Sequence, residues 1–243
     1  MSHVSLSEDR LRKPGVASLP GQTSTSPRET QGISPGLGYL IERLGVCEFR
    51  RRILHMMPGL LPAFLWFIPH LDPWGVPLIA AAIILAVSVT LLAIFHERDF
   101  ARANENHWYQ AVLGYSIPVM GLLLLLPGRS ELGLMTLGIV AFGDGSAALG
   151  GTLFGKRRLP WNRHKTWAGL CCFVCVGTVA ATFNYWTEAR PVVPFGTVVS
   201  IATVATLAAG LTESLPFRSH DNLRVGMTAA ATALLMQTLL LGW

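Results

Sequence analysis

An all-α integral membrane protein of about seven transmembrane helices, with its N-terminus in the cytoplasm, is the fold this sequence predicts. Three observations predict it. First, 51% of the 243 residues are hydrophobic and only 14% are charged, against about 25% charged in soluble domains. Second, the shortage of charge is concentrated. Residues 53–71, 75–95, 106–128, 166–187, 191–212 and 225–243 contain no Asp, Glu, Lys or Arg, and 132–155 contains only Asp144. Each run is close to the ~20 residues that cross a ~30 Å hydrocarbon core. A helix satisfies its own backbone polar groups there. Third, 17 of the 19 Lys and Arg residues lie in the N-terminal tail or in the loops after the second, fourth and sixth runs. Only Arg129 and Arg190 fall in the alternate loops. Basic loops stay cytoplasmic, so the polar clusters below share the face that meets soluble nucleotides.

Along the chain, residues 1–38 are rich in Ser, Thr, Pro and Gly and lack apolar periodicity. They read as a disordered cytoplasmic tail, with no secretory signal pattern. Residues 39–243 form the membrane domain. The segment RRRILHMMPG leads into the first run and holds Arg51, Arg52 and His55. By itself His55 reads as an interfacial residue. The loop HERDFARANENHW after the second run reads as a solvated connection, with Trp108 and Tyr109 in an interfacial aromatic belt.

The fourth run carries the unusual feature. Asp144 stands between Gly143 and Gly145 in an apolar stretch. A carboxylate at membrane depth costs several kcal/mol, which makes it a functional candidate. The flanking glycines leave room for a ligand near the backbone. Gly150, Gly151 and Gly155 follow, and these also permit close helix packing. GGTLFGKR matches most of a phosphate-loop pattern, but Arg157 replaces the Ser or Thr and no strand precedes it, so that motif is rejected.

Next comes a basic loop with Lys156, Arg157, Arg158, Arg163 and Lys165. It either neutralises a polyphosphate or serves as a topological anchor. Lys165 and Thr166 then open the fifth run, where a helix N-terminus favours phosphate. Cys171, Cys172 and Cys175 fall inside that run without companion ligands, and read as packing residues. After the sixth run, TESLPFRSHDN supplies Glu213, Asp221 and Asn222. Such oxygens suit Mg²⁺ bound through one or two carboxylates plus substrate phosphates, or else a helix cap.

Taken together, these stretches resemble the polyprenol/phytol kinase family, which includes phytol, dolichol and CTP-dependent diacylglycerol kinases. The similarity rests on Gly143-Asp144, Ala147, Phe154-Gly155, Lys165-Thr166 with Gly169, Glu213, and Asp221-Asn222. Arg51, Arg52, His55 and Gly59 match an earlier family element, with Arg where Lys is usual. The resemblance implies transfer of a nucleoside triphosphate's terminal phosphate, commonly from CTP, to a membrane lipid alcohol. It implies Asp144, Lys165 and Glu213 as catalytic residues, and a Mg²⁺ set drawn from Asp144, Glu213 and Asp221. Nucleotide contacts fall to Gly143, Gly145, Gly155, Lys156, Arg157, Arg158, Asn162, Lys165, Thr166, Arg52 and His55. Which carboxylate is base and which is ligand stays open.

Partners are then the lipid alcohol, the nucleotide and the bilayer, with no nucleic acid. The location is a bacterial inner membrane or an organellar one, with the site on the cytoplasmic face. A cytidylyltransferase of the CDP-diacylglycerol synthase type ranks second, because its longer acidic, glycine-rich block is missing from the plain AAATALLMQTLLLGW end. A small transporter ranks third, since a buried Asp on a glycine-broken helix also marks ion pathways.

Overall fold

The computed structural model describes residues 38, 41–42, 44–70, 74–95, 109–216 and 221–242. The tail expected over 1–38 and the loop expected over 96–108 lie almost wholly outside those residues. The described elements are helical, apart from one isolated antiparallel bridge between Arg158 and Thr166.

In order they are α1 (Val46–Met56), a 3₁₀ turn (Met57–Leu60), α2 (Leu61–Leu65), α3 (Val76–Phe95) and α4 (Tyr109–Leu125). Then come α5 (Ser130–Gly138), a π turn (Ile139–Gly143) and α6 (Asp144–Phe154). The last are α7 (Trp167–Glu188), α8 (Phe195–Ser214) and α9 (Asp221–Leu241). Among the described residues four helices are long and apolar enough to cross a membrane: Ser130–Phe154, Trp167–Glu188, Phe195–Ser214 and Asn222–Leu241.

The first predicted run is not one continuous helix. α1 begins well before it and carries Arg50, Arg51 and Arg52. Pro58 and Pro62 each stand at the first positions of a new helical piece, where their missing N–H is tolerated. The chain therefore passes from α through 3₁₀ to a short α2 that stops at Leu65. The last helix also starts earlier than its apolar run, at Asp221. That takes Arg224 inside the helix, where Nη2 donates to the Thr212 carbonyl at 3.0 Å.

The core forms around Ser130–Phe154. Its apolar window is 72% buried within the protein, against 28–39% for the other three long helices. That decides which helix is central, and it is the one bearing Asp144. α7 packs against α5, the π turn, α6 and α8, while α9 packs against α8, α4 and α5. Phe173, Tyr185, Leu132, Met135, Ile139 and Ile201 are fully buried among them.

Small residues set the α6–α7 approach. A Cβ on Gly150 would lie 2.7 Å from Cys172 Cβ, and one on Gly169 would lie 2.9 Å from the Ala147 carbonyl. Cys172 is thus a packing residue, as its sequence context predicts; Cys171 and Cys175 are exposed free thiols.

Candidate active site

The π turn sits immediately before Asp144. Such a turn widens the backbone spiral and shifts the angular phase of everything after it. It therefore helps decide which neighbour Asp144 faces. One turn upstream, Asn184 Nδ2 donates to the Leu134 carbonyl at 3.0 Å and secures the helix against α7.

Asp144 faces α1. Arg52, His55 and Met56 follow i, i+3, i+4 spacing, which puts them on one side of a helix. Arg52 Nη1 and His55 Nε2 each lie 3.5 Å from Asp144 Oδ2. Met56 closes the same contact: a Cβ on Gly145 would lie 2.6 Å from its Sδ. The glycine beside the carboxylate thus admits α1 to close range. The positive charges of Arg52, Lys165 and Arg51 act on Asp144.

The basic loop is ordered by the chain itself. Leu159 N–H donates to the Lys165 carbonyl at 3.0 Å, and Lys165 N–H to the Asn162 carbonyl at 3.1 Å. Asn162 is buried; its amide donates to the Ser214 carbonyl, and its side-chain oxygen accepts from His164 N–H, both at 3.1 Å. Trp161 Nε1 donates to Ser214 Oγ at 3.1 Å. The loop is thereby tied to the end of α8. Lys156, Arg157, Arg158 and Arg163 remain exposed.

Thr166 caps α7, its hydroxyl oxygen accepting from Gly169 N–H at 3.1 Å. Lys165, one residue earlier, forms an ion pair with Glu213 in the last turn of α8. Lys165 thus joins the two acidic positions: it pairs with Glu213, and its charge reaches Asp144.

The other predicted positions fall as follows. Gly143 faces the Phe173 ring, 2.8 Å from a Cβ built there, and Gly155 stands against the Gly151 carbonyl and the Thr166 methyl. Their immediate neighbours are therefore protein atoms. Asp221 opens α9, but its side chain is outside the described residues. Among the described residues no three or more His, Cys, Asp or Glu side chains are grouped to hold a metal by themselves. Mg²⁺ commonly binds through one or two carboxylates, with substrate phosphates completing its shell; of the three carboxylates predicted for it, Asp144 and Glu213 have described side chains.

A second polar cluster lies at the other end of α7 and has no counterpart in the sequence reading. Buried Glu188 accepts from Trp74 Nε1 at 2.6 Å and from Ser130 Oγ at 2.9 Å. His70 Nε2 stands 3.1 Å from Glu188 Oε1, and its Nδ1 stands 2.7 Å from the Ile68 carbonyl. Nearby, Gln237 Nε2 donates to buried Glu131 at 2.7 Å. Glu131 and Glu188 flank uncharged runs by a single residue, which is why they read as loop residues. The signal that they are buried was their adjacency to those runs.

Both His70 nitrogens face oxygens that only accept, which favours the protonated ring. Burial opposes that charge and Arg190 opposes it further. The Ile68 carbonyl and Glu188 outweigh both and raise its pKa above the ordinary value. A raised folded pKa stabilises below the unfolded value, near 6.5, and the gain is lost as pH rises through the folded value. Thermal unfolding in detergent, followed by tryptophan fluorescence, should show the midpoint falling as pH rises above about 6.5. His70→Gln should flatten that slope and cost about 1.5 kcal/mol at low pH, the lower end for a charged hydrogen bond.

With this geometry in place, comparison with known proteins is informative. The chain is 23% identical over 198 residues to a chloroplastic farnesol kinase of Arabidopsis thaliana, covering 76% of this chain and 64% of the relative. It is 24% identical over 204 residues to the chloroplastic phytol kinase 1 of the same plant, covering 76% and 65%. The chain is similar to phytol and farnesol kinases over about three quarters of its length. A probable chloroplastic phytol kinase 1 of Glycine max is 26% identical over 208 residues, covering 75% and 65%. The chain thus spans just under two thirds of the length of these relatives. No family model and no solved structure matches it.

Proposed function

We propose that this protein is a membrane lipid-alcohol kinase, transferring the terminal phosphate of CTP to the hydroxyl of a farnesol- or phytol-like isoprenoid alcohol. One observation carries the reading. On the most buried helix, Asp144 meets Arg52 and His55, and Lys165, paired with Glu213, adds its charge to the same carboxylate. The similarity to a farnesol kinase and a phytol kinase supports the substrate class. The proposed topology has seven spans and a cytoplasmic N-terminus, with this site on the cytoplasmic side.

Phosphoryl transfer depends mainly on positioning and charge stabilisation. The exposed Lys156–Arg158 run attracts the nucleotide, and its arginines suit phosphate oxygens. Lys165 and the α7 N-terminus then offset the charge on the transferring group. Mg²⁺, when bound, supplies further neutralisation of the β- and γ-phosphates. The alcohol enters from the bilayer with its hydroxyl toward Asp144. Its oxygen forms a new bond to the terminal phosphorus as the bond to the bridging oxygen breaks. That electron pair leaves with CDP, and the hydroxyl proton passes to Asp144.

Purified protein incubated with Mg²⁺, farnesol or phytol and each of CTP, UTP, GTP and ATP tests the reading. The expected products are CDP and a lipid monophosphate, with CTP turned over fastest. Pyrophosphate release with a phospholipid acceptor would make it a nucleotidyl transferase instead. Intact nucleotide throughout would favour transport.

A further inference from the structure

Asp144 is approached by two nitrogens, and both reach the same oxygen. Arg52 Nη1 and His55 Nε2 each stand 3.5 Å from Oδ2. His55 Nε2 is buried and has no hydrogen-bond partner among the described residues, so Asp144 Oδ2, at ion-pair distance, is its polar neighbour. The Tyr115 ring meets the imidazole edge-on, with centroids 5.6 Å apart and planes at 82°, which fixes its tilt. Oδ1 has no ion pair or hydrogen bond among the described residues, and the side chain as a whole keeps 23% of its surface open. The carboxylate is thus contacted through Oδ2, which leaves Oδ1 as its open oxygen for hydrogen bonding among the described residues.

We propose that Arg52 and His55 are positioning residues that grip Asp144 Oδ2 and present Oδ1 to the alcohol's hydroxyl. This rests on the phosphotransfer reading above and revises one part of the sequence expectation, which put both residues on the nucleotide. Three features favour the revision. Arg52 and His55 are turned toward Asp144 by their shared helix face with Met56. The open atom is an anionic oxygen, which repels phosphate oxygens and accepts from an O–H. Exposed cations for the nucleotide are present elsewhere, at Lys156, Arg157 and Arg158. Fixing Oδ1 matters because an acceptor misplaced by about 1 Å can cost 10²-fold in rate.

Arg52→Gln, Arg52→Lys, His55→Gln and His55→Asn test this, each alone and combined with Asp144→Asn. Turnover at saturating substrate should fall about 10–100-fold in Arg52→Gln and His55→Gln, as when a supporting hydrogen-bond partner is lost. Affinity for a fluorescent CTP analogue should stay within about twofold, because uniform nucleotide binding is not what was removed. Arg52→Lys should recover part of the rate. On the Asp144→Asn background the same changes should add less than about twofold, since residues acting through one group are non-additive.

A second readout works without any turnover. A hydrophobic carbodiimide, located by peptide mass, should modify Asp144 faster once either partner is removed, because the ion pair shields the carboxylate. The proposal is overturned if nucleotide affinity falls tenfold or more while saturated turnover holds. It is also overturned if carbodiimide labelling is unchanged in all four single variants. Failure of the kinase reading looks different: the wild-type protein would transfer no phosphate, while the labelling contrast would persist.

Discussion

Asp144→Asn is expected to lower turnover by about 10²–10⁴-fold, the range for losing a positioned proton acceptor, with little change in folding. Asn matches Asp in shape, so the Gly145–Met56 contact and the α6–α7 packing are untouched. The substitution removes the charge that Arg52 and His55 face and the oxygen pair that takes the hydroxyl proton. Arg52 keeps some solvent contact, with 19% of its side chain exposed. Losing the anion therefore does not strand a fully desolvated guanidinium. Unfolding temperature and the gel-filtration profile should stay close to wild type while lipid monophosphate output collapses. Near-normal activity in a folded Asp144→Asn protein would remove Asp144 from the reaction.

The second large effect concerns the Lys165–Glu213 pair, and here stability and activity should separate. Glu213 is 5% exposed and Lys165 35% exposed. Removing one partner of a buried pair typically costs about 3–5 kcal/mol, because the other is left uncompensated. Lys165→Met removes the cation paired with buried Glu213 and should cost at most about 3 kcal/mol, the lower end. Glu213→Gln should cost less, because Lys165 can extend to water. The double variant Lys165→Met/Glu213→Gln should regain most of the stability lost in Lys165→Met, as neutral replacements of buried pairs often do. It should regain none of the activity: loss of one preorganised charge-stabilising group costs about 10²–10³-fold. Measuring unfolding midpoints and turnover on the same four proteins checks both halves. Recovery of turnover in the double variant would mean that Lys165 acts only by supporting Glu213.

Much of the fold was legible because hydrocarbon is an unforgiving solvent. Long uncharged runs can only be helices there, and the four long apolar helices lie on predicted runs. The start of α7 at Thr166 was legible too, since a threonine before an apolar run caps the first turn. The first run misled. Its composition is apolar throughout, but Pro58 and Pro62 divide it into short pieces, and the helix that matters, α1, lies mostly before it. Glu188 and Glu131 were overlooked because burial at a helix end depends on what packs above it. For Glu188 those neighbours, His70 and Trp74, are more than a hundred residues away in sequence.

The candidate site divides the same way. Asp144, Lys165 and Glu213 stood out in the sequence because charge at the edge or middle of an apolar run is costly enough to need a reason. Their chemical types and order along the chain were therefore fixed by sequence. Only the tertiary structure decided the partners. A π turn rephases the central helix just before Asp144, and Gly145 admits Met56. Arg52 and His55 consequently face a carboxylate instead of open solvent. Side-chain pairing depends on helix phase and on approach distances of a few ångströms, and neither is encoded in the spacing of charges along one strand of sequence.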